Sequence, residues 1–193
     1  TLALTLPDSG HKVEVANSRG PETIEQAALV TGAEPVTAEQ AVKGKDVIIL
    51  SIPFNRIPEI KPLLAEVPED VTIIDTSNYY PSRDNNIPAI DEGQVESLWV
   101  SEQLGRPIAK AWNAIGYISF EESGKPAGSS DRIAIPIAAD RDQDRKITMQ
   151  LVDETGFDAF DAGSLADSWR QQPGSPVYCT DLSLHEIEEL IDT

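Results

Sequence analysis

Four short clusters hold the residues best able to do chemistry: Asn17-Ser18-Arg19-Gly20-Pro21, Ser51-Ile52-Pro53-Phe54, Asp75-Thr76-Ser77-Asn78-Tyr79-Tyr80-Pro81 and Lys110-Ala111-Trp112-Asn113. Each follows a short apolar run that reads as a strand. In the first, Arg19 offers a fork of donors and Ser18 a hydroxyl. Where a strand end meets the ribose of a dinucleotide, an acid takes the free 2′-hydroxyl of NAD, whereas an arginine suits the 2′-phosphate of NADP. A polar turn with a solvated arginine fits the same tripeptide. In the second cluster Pro53 turns the chain away from the sheet, and Phe54 suits either the flank of a flat ring or the core. The third is rich in hydrogen-bonding groups, as a ligand site or a self-satisfied turn would be. In the fourth, Asn113 offers an amide to a carboxamide, Trp112 a stacking face and Lys110 a general acid. A lysine ending a strand is also an ordinary surface or ion-paired group.

Other chemistries find no support. His11 and His185 lie outside these loops and read as surface residues. Cys179 is the only cysteine, which excludes an intrachain disulfide and a cysteine-based zinc site. No Gly-x-Ser-x-Gly elbow or Walker loop is present, and the carboxylates are scattered without an acid/base pair.

The elements that must position the clusters are legible. Residues 46–52 and 71–75 are nearly all apolar, as strands covered on both faces should be. Residues 107–111 and 132–138 are further strands, and Pro136 places the latter near a sheet edge, because proline donates no ladder hydrogen bond. Helices are predicted over residues 22–31, ending at Gly32, and 93–104, ending at Gly105. Another, opened by an Asp140/Gln143 capping box, carries Ile147, Leu151 and Val152 to Gly156, and Ser183 with Glu186 caps a final acidic helix. The alternation predicts an α/β fold with a mainly parallel sheet, whose ligands bind at strand carboxyl ends. After a strand at 157–160, the stretch Asp161–Pro176 carries Trp169, Arg170, Gln171 and Gln172, the makings of a polar-aromatic pocket wall. Residues 1–6 read as the middle of a helix with no cap before it. The expectation is that the chain opens inside the helix of a βαβ unit, lacking its first strand and turn.

Composition narrows the partners. The chain has 193 residues, enough for one domain with a small extension. Fifteen basic against thirty-three acidic residues give a net charge of −18, unsuited to nucleic acid or an anionic membrane. Hydrophobic residues at 40% with charged residues at 25% favour a folded chain. No apolar run approaches the ~20 residues of a membrane helix. A single cysteine suits a cytoplasmic location.

Taken together, Asn17-Ser18-Arg19, Ser51-Ile52-Pro53-Phe54, Lys110-Ala111-Trp112-Asn113 and Asp161-Ala162-Gly163-Ser164-Leu165 resemble the NADPH-dependent coenzyme F-420 (deazaflavin) reductase family, in order and spacing, over essentially the whole chain. The resemblance implies a Rossmann-like doubly wound fold with helices on both faces of the sheet. Residues 1–140 would form the NADP-binding domain and 141–193 a small C-terminal extension packed on it. It implies a homodimer that binds NADP(H). Ser18 and Arg19, beside Asn17, match the positions that hold the 2′-phosphate. Ile52 and Pro53, flanked by Ser51 and Phe54, would line the middle of the cofactor, with Asn78 nearby. Ala111, Trp112 and Asn113 match the segment near the nicotinamide. Hydride would pass between NADPH and a small-molecule acceptor, coenzyme F-420 or a flavin. Such a step needs aligned rings and excluded water more than an acid or base. Two rivals stand beside this reading. One is an NADPH-dependent imine, carbonyl or ferric-chelate reductase; the other is a non-catalytic NADP(H)-binding sensor. The family's first strand and Gly-x-Gly-x-x-Gly-like turn do not appear, so the native protein is expected to carry roughly 10–20 more N-terminal residues, a strand plus a turn. Without that strand the sheet should expose two unpaired edges.

Overall fold

The fold, seen in a computed structural model, is described for residues 1–192. Five strands form the main sheet, in the order β3 (Val47–Leu50), β4 (Thr72–Asp75), β5 (Ala109–Lys110), β6 (Ala134–Ala139) and β7 (Asp158–Asp161). A separate parallel pair, β1 (Glu14–Val15) and β2 (Glu34–Pro35), stands apart from it. β3, β4 and β5 run parallel, β6 runs antiparallel to β5, and β7 runs parallel to β6. The carboxyl ends of β3–β5 therefore share one edge with the amino ends of β6 and β7.

β4 and β6 are buried at every position. Successive residues feed opposite faces, as the period of a strand demands. Ile48, Leu50 and Ile73 join Phe54, Ile57, Val100 and Leu104 on one side. Ile74, Ile135 and Ile137 join Leu151, Val152, Phe157 and Leu6 on the other. The first side is covered by the 3-10 segment Phe54–Leu64 and α5 (Glu96–Leu104). The second is covered by α7 (Asp142–Glu154), against which α1 (Leu2–Asp8) packs. The remaining helices are short: α2 (Ala38–Ala41), α3 (Pro81–Asp84), α4 (Pro88–Asp91), α6 (Tyr117–Glu122) and α8 (Leu184–Leu190).

Two sequence expectations need correction. Residues 22–31 do not form one helix but two 3-10 turns, Pro21–Thr23 and Gln26–Leu29. Neither buries a residue, so no apolar face repays the cost of a helix nucleus. Pro136 lies on β6, which pairs on both sides one strand in from the edge strand β7, near the sheet edge as expected. It escapes penalty because β5 pairs only with Ala138 and Ala139, and its carbonyl takes the Gln171 amide at 3.1 Å. Asp140 and Gln143 form no capping box: Asp140 accepts from the Leu165 amide at 2.9 Å, and Gln143 donates to the Asp70 carbonyl at 3.0 Å. The Ser183/Glu186 box does form on α8. Gly105 ends α5 in the left-handed region at φ +70. At Gly156 a Cβ would meet Gly124 Cα and the Lys125 amide at 2.9 Å, so only glycine fits there.

Among the described residues, no helix is long and apolar enough to cross a membrane, and no group of histidine, cysteine and acidic residues is placed to hold a metal.

Candidate functional site

A cleft of about 280 Å³ opens beyond the carboxyl ends of β3 and β4, lined by Ser51, Ile52, Pro53, Thr76, Ser77, Asn78, Tyr80 and Arg83. Below it lies a buried polar frame. Lys110, fully buried at the end of β5, reaches the equally buried Asp75 carboxylate at 2.6 Å and also donates to the Ser77 carbonyl. The other oxygen of Asp75 accepts from the Ser77 amide at 3.1 Å and the Ser77 hydroxyl at 2.7 Å. Such a pair is desolvated, so its attraction mainly offsets the cost of burying each partner. It fixes the path of residues 75–78 beneath the cleft.

Glu96, on α5, closes the frame from the other side. Its carboxylate accepts from the Tyr79 amide at 3.1 Å, and its own amide donates to Gln172 at 2.8 Å. Burial pushes its pKa up to about 7, with Lys110 pulling the other way.

Where β5 ends, Trp112 adopts φ +57, an outlier for a bulky residue. That turn sends the indole down into the core, beside Phe120 at 6.4 Å, while Asn113 turns back toward the cleft. The Asn113 amide is fully engaged. Its nitrogen donates to Asn78 Oδ1 at 3.1 Å and to the Gln171 carbonyl at 2.8 Å, and its oxygen accepts from Gln171 Nε2 at 2.8 Å. Asn78 in turn donates to the Asn113 carbonyl at 2.8 Å and to the Tyr178 hydroxyl at 3.2 Å. The Tyr178 and Tyr80 hydroxyls touch each other. Arg83 donates to the Asn78 carbonyl at 2.6 Å, pairs with Asp84 at 2.7 Å and lies 5.0 Å over the Tyr80 ring.

The sequence-predicted residues thus separate into three groups. Ser51, Ile52, Pro53 and Asn78 come together on the cleft. Phe54, Ala111, Trp112 and Asn113 are buried beneath it. Phe54 is stacked on Trp99 at 4.9 Å rather than presented to a ring in the cleft, and neither the Trp112 face nor the Asn113 amide is free for a ligand. Asn17, Ser18 and Arg19 form a turn of their own after β1. Asn17 Oδ1 accepts from the Arg19 amide at 2.8 Å and the Gly20 amide at 3.0 Å, a local closure typical of asparagine. Ser18 and Arg19 are exposed there. The Arg19 guanidinium is in no ion pair among the described residues. Glu22 folds its carboxylate back against Gly20, within 2.7 Å of where a Cβ would stand. A free guanidinium and hydroxyl with an ordered backbone suit a phosphate monoester.

The wall predicted from Asp161–Pro176 also divides. Gln171 is buried in the frame, whereas Trp169 is half exposed with Arg170 stacked over it at 5.1 Å. Sequence reasoning passed over Arg83 and Tyr178. Arg83 reads as an ordinary helix residue. Tyr178 enters only because the chain returns 100 residues after Asn78, and no local spacing announces that.

Residues 1–79 match the family described as NADP oxidoreductase, coenzyme F420-dependent. A stretch of 56 residues is 50% identical to the protein YjhV of Escherichia coli (strain K12). It covers 29% of this chain and about two fifths of that curated relative's length, 41%. Two solved structures share the fold. One is the hypothetical protein SMa0349 of Sinorhizobium meliloti, at TM-score 0.76 and 22% identity over 94% of this chain and 87% of that one. The other is provisionally described as an F420-dependent NADP reductase of Arthrobacter sp. FB24, at TM-score 0.61 and 13% identity over 85% and 79%. The sheet and its flanking helices are those of a Rossmann-like α/β protein.

Proposed function

We propose that this chain is an NADP-dependent oxidoreductase that passes hydride from NADPH to a deazaflavin or flavin-like acceptor. The observation that carries the reading is the free Arg19 guanidinium in the Asn17-ordered turn after β1, inside the segment that matches the family. There it and Ser18 would hold the 2′-phosphate that separates NADP from NAD. Ser51, Ile52, Pro53 and Asn78 would receive the middle of the dinucleotide along the cleft. Phe54, Trp112 and Asn113 act from beneath, as packing and cross-links that fix those loops. Bound NADPH supplies the hydride. The chain supplies alignment and dryness, and the buried Lys110–Asp75–Ser77 frame prevents the cleft floor from shifting.

A second reading, reduction of a C=N or C=O bond, is favoured by the tyrosine pair at the cleft, since such acceptors need a proton as well as hydride. Stopped-flow oxidation of NADPH against deazaflavin, flavin mononucleotide, ferric chelates and a cyclic imine tests the reaction. Parallel titration with NADPH and NADH tests the cofactor. NADPH is expected to bind tighter and to be oxidised by at least one organic acceptor. Tighter NADH removes the phosphate site, and binding without oxidation by any acceptor leaves a sensor.

A further inference from the structure

Among the described residues Arg83 is the one charged side chain lining the cleft, and no carboxylate lines it. On a chain of net charge −18 that is a local reversal of sign. The guanidinium is also fixed in place. Its Nε and Nη2 donate to the two oxygens of Asp84 at 3.0 and 2.7 Å, and Nη2 donates again to the Asn78 carbonyl at 2.6 Å. Its Cζ stands over the Tyr80 ring, 5.0 Å from the centroid. Those bonds use the hydrogen of Nε and both hydrogens of Nη2. Nη1 makes no hydrogen bond or ion pair among the described residues, so two N–H groups stay unused.

Asp84 does not cancel this cation outright. Its carboxylate also accepts from the Tyr80 amide at 2.9 Å, so a backbone donor shares its charge. The Asp84 side chain is sealed from solvent, whereas 48% of the Arg83 side chain is exposed. An arginine held along one edge, with its last nitrogen unused at an open cleft, has already lost the rotamer freedom that binding would otherwise cost. It is preorganised for an anionic oxygen, and a phosphate ester suits such a donor best.

The place of Arg83 across the fold says whose phosphate this is. Lys45, just before β3, pairs with Glu14 of β1 at 2.7 Å, so β1 lies on the β3 side of the sheet. The Arg19 turn, the Ser51–Pro53 loop and the loop after β4 therefore follow one another from that side. A dinucleotide that enters over Arg19 and crosses Ser51–Pro53 spends its own phosphates before it reaches the β4 loop. Arg83, on α3 beyond Asn78, stands past that point, where an acceptor meets the reactive end. We propose that Arg83 holds the phosphate of the hydride acceptor, and so selects acceptors with a phosphorylated side chain over the bare ring. The inference rests on the oxidoreductase reading and narrows its substrate class to phosphorylated flavin-like molecules.

Flavin mononucleotide and riboflavin differ only in the phosphate, so the pair isolates the contact. Quenching of flavin fluorescence, read in the presence of NADP⁺ and without turnover, should show flavin mononucleotide bound about tenfold tighter. Arg83→Gln should bring the two affinities together. That change leaves Asp84 buried without its cation, so Arg83→Gln combined with Asp84→Asn is measured beside it, and thermal unfolding checks that each variant is folded. Equal affinities in the unaltered protein, binding of neither flavin, or a preference that survives in both variants overturns the proposal. So does a loss that falls on NADPH instead, read by titrating the same variants, since it puts the guanidinium on the cofactor's own phosphates. Steady-state oxidation of NADPH separates the inference from the reading beneath it. The preference should appear in KM for the flavin, with kcat alike for the two. Arg83-dependent binding of flavin mononucleotide without oxidation of NADPH by either flavin removes the hydride reading and keeps the phosphate contact. Oxidation of NADPH by both flavins at one KM keeps the hydride reading and overturns the contact.

Discussion

Two cations stand at strand ends on this molecule and behave in opposite ways. Lys110, at the end of β5, is sealed from solvent and tied to Asp75 and Ser77. Arg19, in the turn after β1, is exposed and in no ion pair among the described residues. On sequence alone both were candidates for chemistry. The difference shows that a charge committed to holding a loop is not available to a ligand, and that availability is decided by burial and partners, which residue type does not reveal.

The largest test of that contrast is Lys110→Met. It leaves the Asp75 carboxylate buried without its cation, and should cost about 3–5 kcal/mol in urea unfolding. Pairing it with Asp75→Asn should restore part of that loss, since the orphaned charge goes too. A Lys110→Met protein of ordinary stability that had lost only turnover would make Lys110 a chemical group and collapse the comparison.

Glu96 belongs with Lys110, as a buried charge bound into the frame. Its folded pKa of about 7 lies above the ordinary carboxylate value of 4.5. Protonation is therefore favoured by folding. The stabilisation is complete below pH 4.5 and is lost as pH rises through about 7. Glu96→Gln keeps an oxygen for the Tyr79 amide and removes the titration. The variant should gain about 1–3 kcal/mol over the unaltered protein between pH 5 and 8, seen as a difference in unfolding midpoint that grows with pH. A constant difference would place the carboxylate in a wetter site than the structure shows.

Arg19 is the opposite case. Arg19→Ala should leave folding untouched and weaken NADPH by about 1–3 kcal/mol, with NADH unchanged. Calorimetric titration of both cofactors reads this directly. Equal losses for the two would make the turn an ordinary polar one.

The same contrast explains what the sequence made legible. Strands β3 and β4 were evident because an unbroken apolar run is a local signal of a buried strand. The helix predicted at 22–31 failed because its apolar residues found nothing to pack on, a fact about the rest of the fold. In the site, the cleft-lining Ser51–Pro53 and Asn78 were found through their position after strands. The roles of Phe54, Trp112 and Asn113 were not, because a side chain at a strand end can turn either way. Trp112 turns inward through a backbone angle that its neighbours in sequence do not reveal.

A third kind of charge, exposed yet partnered, completes the comparison. His11 read as a free surface residue, but its Nε2 lies 2.5 Å from Glu154, joining the end of α1 to the end of α7. Burial raises the Glu154 pKa, but hydrogen bonds from Gln150 and His11 outweigh it and hold the carboxyl below the usual range. Both side chains keep substantial contact with water, so the pair should contribute no more than about 1 kcal/mol. His11→Gln should accordingly lower the unfolding midpoint slightly at low ionic strength and less at high salt, where such pairs are screened. A loss as large as that of Lys110→Met would mean that partnership alone, without burial, makes a charge structural. A loss indifferent to salt would assign the effect to the Ser9 hydroxyl, which donates to the Glu154 carbonyl at 3.1 Å beside it.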